Sequence, residues 1–309
     1  MFLKKIIRNS LLILKVFRVI TAKREKEVLP KWVEINSANK SKIDASDYDI
    51  PKIIWMYWDS DDIPMVVQIC VKQVMSLCGD HQVILLNKNT VHDYIDLPTL
   101  NSDLPKAIVA DLIRLMLLEK YAGIWMDASI FLTENFDWIF SKINNQDAFL
   151  FYSDECTVDE TRPISENWFI VCPKNSKFIK EWLAEFKGCI LSPSPTNYYN
   201  NIKNDKSRIQ NLSHPDYLLC YISAIVVLEK FNFNIIYVSS GTVGHYFSYK
   251  YNFNGYLIAT EMLLRPKGKL AGTKLIKFTS TSRSVIEKFI SNGVFVKGSL
   301  LGSAFIRYK

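Results

Sequence analysis

Asp127 and Ser129 stand two residues apart at the end of the apolar run Gly123-Ile124-Trp125-Met126 in this 309-residue chain. A strand that ends this way delivers a carboxylate to the rim of a sheet, where ligands of open α/β folds bind. Hard oxygen ligands suit Mg²⁺ or Mn²⁺. Such a cation, bridging two phosphates, neutralises the charge that develops as a nucleoside diphosphate leaves. Asp127 is therefore the expected metal ligand and catalytic carboxylate, with Ser129 adding a hydroxyl. One carboxylate instead of two predicts weak metal affinity, or a site that the nucleotide completes. By itself, Asp127 also fits the start of a turn.

Asp111 and Arg114 lie three residues apart in a helix-forming stretch, so they share a face. Arg114 can contact phosphate or sugar, and Asp111 can accept from a sugar or ribose hydroxyl. The bland alternative is a surface ion pair of little energetic value. The apolar neighbours Ile113, Leu115, Leu117 and Leu118 argue for a cleft or a buried network instead.

These residues need elements to position them. Pro51–Trp58 is short, apolar, β-branched and aromatic, which suits a buried parallel strand. Residues 64 to 78 read as a helix with Pro64 near its start, and Gln82–Leu86 as a second strand. Lys106–Lys120 reads as a helix, Gly123 ends it, and 124–126 forms the third strand. Alternating strands and helices with short connections predict an α/β fold, a Rossmann-type mostly parallel sheet flanked by helices. Its strand ends carry Trp58, Asn87 and Asp127. Trp58, Asn87 and Trp125 accordingly join Asp111 and Arg114 as candidate donor-binding residues, with Trp58 able to stack on a base.

The second half is less regular. Residues 147–152 and 168–172 read as strands, and 173–187 and 217–231 as helices. Phe178, Trp182 and Phe186, spaced by four, read as core. Residues 188–216, rich in Pro, Ser, Asn and Tyr, read as loops able to shape an acceptor site. Residues 274–280 alternate and read as a strand or a closing flap.

The segments 50–58, 110–118 and 121–129, with a weaker one at 168–175, resemble the capsular polysaccharide synthesis glycosyltransferases. That group is similar to the Och-type mannosyltransferases and the glucosylating clostridial toxins. The resemblance covers roughly residues 50–135. It implies a GT-A fold, a nucleotide-sugar donor (UDP-linked), a divalent metal and retention of anomeric configuration. It also implies a base stack at Trp58, donor contacts at Asp111 and Arg114, and a metal–diphosphate role at Asp127. The usual Asp-x-Asp pair is here Asp127-Ala128-Ser129, and the usual Gly-Gly is Ala122-Gly123.

A net charge of +7 raises nucleic acid as a partner, but its distribution argues against it. Residues 1–26 hold eight Lys/Arg and one acid, which accounts for the whole excess; the remaining 30 basic and 30 acidic groups cancel. On a helical wheel Leu3, Ile6, Ile7, Ile13, Leu14 and Phe17 face away from Lys4, Lys5, Arg8, Lys15 and Arg18. Such a basic amphipathic helix suits an anionic membrane surface, or docking on its own domain. The expected organisation is an arm and irregular linker over 1–45 and a GT-A-type domain over 46–309. Six scattered cysteines without metal spacing read as free core thiols of a reducing compartment.

The leading expectation is a transferase of bacterial capsular or surface polysaccharide synthesis. It would work on a glycan or lipid-linked acceptor, in the cytoplasm or at the inner membrane face. A metal-dependent phosphotransferase or hydrolase, and a non-catalytic nucleotide-sugar binder, are the alternatives.

Overall fold

The computed structural model describes residues 2–35 and 48–309, with the side chains of 2–9 left aside. The expected domain boundary near residue 45 falls outside the described residues. In chain order come α1 (Phe2–Thr21), β1 (Trp32–Ile35), β2 (Ile53–Tyr57), α2 (Met65–Leu77), β3 (Gln82–Leu86), α3 (Lys106–Tyr121), β4 (Gly123–Met126) and β5 (Ile130–Leu132). Then follow α4 (Asp137–Phe140), β6 (Ala148–Tyr152), β7 (Ser165–Cys172), α5 (Lys177–Ile190), α6 (Lys206–Ile209), α7 (Leu219–Lys230) and β8 (Ile235–Ser239). The chain ends with α8 (Tyr246–Lys250), α9 (Gly255–Leu263), β9 (Leu275–Lys277), α10 (Ser280–Ser291) and α11 (Leu300–Tyr308).

Seven strands form one sheet in the order β1-β8-β6-β7-β4-β2-β3. The strands β2, β3, β4, β6 and β8 run one way, and β7 and β1 the other. The mostly parallel sheet expected from the sequence is therefore present. Apolar cores cover both of its faces, one under α3, α5 and α7, the other under α2, α9 and α10. Two-sided burial explains why β4, β6, β7 and β8 are buried at every position rather than at alternate ones.

Some expectations shift. Residues 32–35, read as irregular linker, form β1, paired antiparallel with β8 at the sheet edge. The helix expected from residue 173 starts at Lys177, because Ser176 caps it: its hydroxyl accepts from the Ile179 N–H at 3.3 Å. The aromatic stripe Phe178, Trp182 and Phe186 is core, and all six cysteines are free and buried, as expected.

The connection that matters most for the site is the one between α3 and β4, a single residue. Ala122 takes φ 57° as the helix closes, and Gly123 follows at φ 91°. A Cβ at Gly123 would lie 2.7 Å from the Ile53 carbonyl oxygen on β2. Only glycine allows that approach. Helix and strand are thereby locked together, and with them Asp111, Arg114 and Asp127.

A second, two-stranded sheet pairs β5 with β9, Ile130 opposite Lys277. It brings the C-terminal segment beside the residues that follow Asp127.

Candidate functional site

The carboxyl ends of β2 and β4 open into a cleft of about 670 Å³. Trp58, Asp111, Arg114, Trp125, Asp127 and Ser129 all line it. Asn87 is not among the lining residues. Its Oδ1 accepts from the N–H groups of Asn89 and Thr90, and its Nδ2 donates to Asp61 at 2.8 Å, so it closes the turn after β3.

Arg114 is the hub. Its side chain is 6% exposed, with Nη1 2.7 Å from Asp111 Oδ1 and Nη2 3.2 Å from Asp127 Oδ1. A surface ion pair is thus excluded; the two acids share one buried guanidinium. The guanidinium also lies over the Trp125 ring, 5.1 Å from its centroid. Trp125 is itself buried, and its Nε1 donates to Asp127 Oδ1 at 3.2 Å. It orients Asp127 from beneath, where the sequence suggested donor contact.

Burial pushes the Asp111 carboxyl up to about 6, and the Asp127 charge adds to this, against the opposing pull of Arg114 and a hydrogen bond from Asn167. Asp127 goes the other way. Burial would raise it, but Lys277 and Arg114, with hydrogen bonds from Lys277 and Trp125, hold it below the usual carboxylate range. Two carboxylates on one arginine are thus set apart by their surroundings, the pattern of a site with divided roles.

The sequence reading missed Lys277. Its ammonium pairs with Asp127 Oδ2 and donates to Ser129 Oγ at 3.2 Å, with the side chain 11% exposed. A signal was available: residues 275 and 277 share a face of an alternating strand, and Leu275 is fully buried. A lysine on a core-facing position needs a partner. Arg283 was also missed. It stands half-buried on α10, in the cleft wall, with its guanidinium 5.1 Å from the Trp58 ring centroid. One face of Trp58 is therefore already covered by Arg283. Tyr217, Leu218 and Tyr221 form part of the wall, just past the loop region expected to shape an acceptor site.

Asp127 and Ser129 do not fit a divalent cation. Both Asp127 oxygens are taken by protein donors, and Ser129 Oγ donates to the Phe278 carbonyl at 3.2 Å while accepting from Lys277. Among the described residues, no group of three or more His, Cys, Asp or Glu side chains is arranged to hold a metal.

Residues 12–187, more than half of the chain, match the capsular polysaccharide synthesis protein family. The chain belongs to that family. It is 31% identical over 157 residues to an O-glycosyltransferase, braB, of Annulohypoxylon truncatum. That match covers 44% of this chain and 37% of the fungal protein, so it spans well under half of the relative's length.

Solved structures of similar outline include a glycosyltransferase involved in glycosylation of the major capsid of PBCV-1. It has a TM-score of 0.40 and 9% identity, with 78% of this chain and 98% of that one covered. The galactosyltransferase LgtC, in complex with donor and acceptor sugar analogues, gives a TM-score of 0.41 at 8% identity, covering 79% and 96%. Scores this low are likenesses of outline alone.

Proposed function

We propose that this family member is a glycosyltransferase moving a sugar from a nucleotide donor, UDP-linked in the first instance, to a glycan or lipid-linked glycan in capsular or surface polysaccharide assembly. The observation that carries the reading is the charged cleft floor Asp111–Arg114–Asp127–Lys277 beneath aromatic walls. Cations suit a diphosphate, carboxylates suit sugar hydroxyls, and aromatic faces suit a base or a sugar ring. In the transfer, the bond between C1 and the diphosphate oxygen breaks and its electron pair stays on that oxygen. The acceptor hydroxyl oxygen bonds to C1, and its proton is released to solvent.

The test is release of nucleoside diphosphate from a panel of nucleotide-sugars by the full chain, with water as the slow acceptor. Release of inorganic phosphate instead would identify a phosphohydrolase. Binding of a nucleotide-sugar with no release of either, with glycan acceptors added, would identify a binder.

We place the protein at an anionic membrane surface. No helix among the described residues is long and apolar enough to cross a membrane. α1 does pack on α9, burying Val19, so docking on its own domain accounts for one side of the helix. It leaves Leu11, Ile13, Leu14 and Phe17 exposed beside exposed Lys15 and Arg18. Apolar side chains facing solvent between cations suit an interfacial helix. Sedimentation with anionic liposomes should be strong at low salt and weaken as salt shortens the Debye length from ~10 Å at 0.1 M to ~3 Å at 1 M. Protein that stays in the supernatant at low salt would refute the placement.

A further inference from the structure

The carboxylate at the end of β4 is the group from which a divalent cation would be expected to hang, and protein donors already hold both of its oxygens. Asp127 Oδ1 accepts from Arg114 and Trp125, each at 3.2 Å, and Oδ2 is paired with Lys277. The Lys277 ammonium bridges Asp127 and Ser129, the two positions that would have held the ion. A divalent cation bonded there would sit beside a fixed positive charge, and like charges at that range repel strongly. Mg²⁺ and Mn²⁺ also need several oxygen ligands. The other carboxylates that line the cleft are committed: Asp111 to Arg114 at 2.7 Å, and Asp59 to Lys106 at 2.5 Å.

The same corner of the cleft holds cationic groups in position for an anion. Lys277 is one. Arg283 is another, with no carboxylate within ion-pairing distance among the described residues. Thr279 and Ser280, at the start of α10, line the cleft between them. The positive end of that helix dipole therefore points to the same place. Burial lowers the lysine and arginine pKa values, and the Asp127 charge opposes the shift at both.

We propose that the countercharge for the donor diphosphate is supplied by Lys277 together with Arg283, and that this protein binds and uses its donor without a divalent metal. The inference rests on the transferase reading for its donor class. Lys277 is held by Asp127 and Ser129 and turns part of its donor capacity to a phosphate oxygen when the diphosphate enters. An ammonium has three donors, so it can keep Asp127 while it contacts phosphate. Asp127 is then a positioning residue for two cations, and Ser129 a support for one of them. The Asp127-Ala128-Ser129 sequence, short of its second acid, and a lysine 150 residues away become one device.

The experiment is calorimetric titration of UDP and GDP into the full chain after treatment with EDTA, in parallel with sugar release from the corresponding nucleotide-sugars. The expected result is binding and release in EDTA, changed less than about threefold by added Mn²⁺ or Mg²⁺. Lys277→Met should weaken nucleotide binding on the order of 10²-fold, as expected for loss of a buried charge-assisted contact. Lys277→Arg should recover most of that. Circular dichroism shows which variants are folded; should Lys277→Met not fold, Arg283→Met carries the same test, with an expected loss of about tenfold.

Binding that appears only with Mn²⁺ or Mg²⁺, or a folded Lys277→Met protein that binds the metal–nucleotide complex more tightly than wild type, would overturn the inference. Metal-dependent sugar release would do so while leaving the transferase reading intact. EDTA-resistant nucleotide binding without sugar release from any donor would sink the transferase reading and leave the countercharge assignment standing. No binding of either nucleotide, with or without metal, would overturn both.

Discussion

Two buried charge networks lie in this molecule, and they are built for opposite ends. In one, Arg265 is 0% exposed and pairs with Glu261, also 0% exposed, at 2.5 Å, and with Glu25. Its second nitrogen donates to the carbonyls of Ala22 and Lys23, just past α1, and Lys250 closes the ring on Glu25 at 2.7 Å. That network clamps α1 and the segment after it to α9. In the other, Arg114 joins Asp111 and Asp127, Lys277 joins Asp127, and Asp127 keeps 26% of its side chain open to the cleft. The first network spends its charges on the chain itself. The second presents charges to an open cleft of about 670 Å³. Burial and pairing alone do not mark a functional site; an open side does.

The difference can be attacked from both ends. Arg265→Met should have the largest effect, a loss of about 3–5 kcal/mol of stability, because it takes the close cation from fully buried Glu261 and one of the partners from half-buried Glu25. Urea unfolding measures this, and nucleotide affinity of the folded fraction should be unchanged. A cost below about 1 kcal/mol would mean that α1 is not clamped there.

Asp127→Asn should do the reverse. Turnover should fall on the order of 10²–10³-fold, the scale of losing one preorganised electrostatic contact, because Lys277 and Arg114 lose the charge that positions them. Its stability cost should stay well under that of Arg265→Met. Equal losses in both variants would erase the distinction drawn here.

The smallest effect concerns pH. Asp111 accepts most strongly from a hydroxyl when ionised, and its folded pKa is raised to about 6 from an ordinary value near 4. The folded state therefore binds this proton more tightly. Its contribution to stability is present below pH ~4 and is lost as pH rises through about 6. Activity has the opposite sign. The acid limb of kcat/KM should fall about fivefold from pH 6 to pH 5 and about tenfold over the next unit, and Asp111→Asn, slower throughout, should lack that limb. An unchanged limb in the variant would assign the titration elsewhere.

Half of this site was readable in the chain. Asp111, Arg114, Asp127 and Ser129 fall within 19 residues, on a helix and strand whose apolar patterns are strong, and the structure brings them together. Their partners Lys277 and Arg283 lie some 150 residues on, where short elements and polar connections blur the periodicity. Trp125 was readable as a site residue but not as the donor beneath Asp127, because strand direction does not reveal a side-chain hydrogen bond. Asn87 failed for a related reason: an asparagine at a strand end suits its own turn as well as a ligand. Three strands were missed, β1, β5 and β8, and the first and last pair with each other at one edge of the sheet. β8, Ile-Ile-Tyr-Val-Ser between Asn234 and Ser240, carried a clear β-branched signal; β1 is four residues long with a charged residue inside it.

The pairing of β5 with β9 has a consequence for how the protein is made. Ile130 and Lys277 meet across a stretch of about 150 residues, a contact whose closure entropy has to be met before it is rewarded. During synthesis the sheet can assemble strand by strand as the chain emerges, while Asp127 waits without its lysine. A nascent chain stopped near residue 270 would carry the family's sequence segments, the Asp111–Arg114 pair on α3 and most of the fold, and still hold an incomplete cleft. The protein's chemistry is switched on late in its own birth, by the arrival of one short strand.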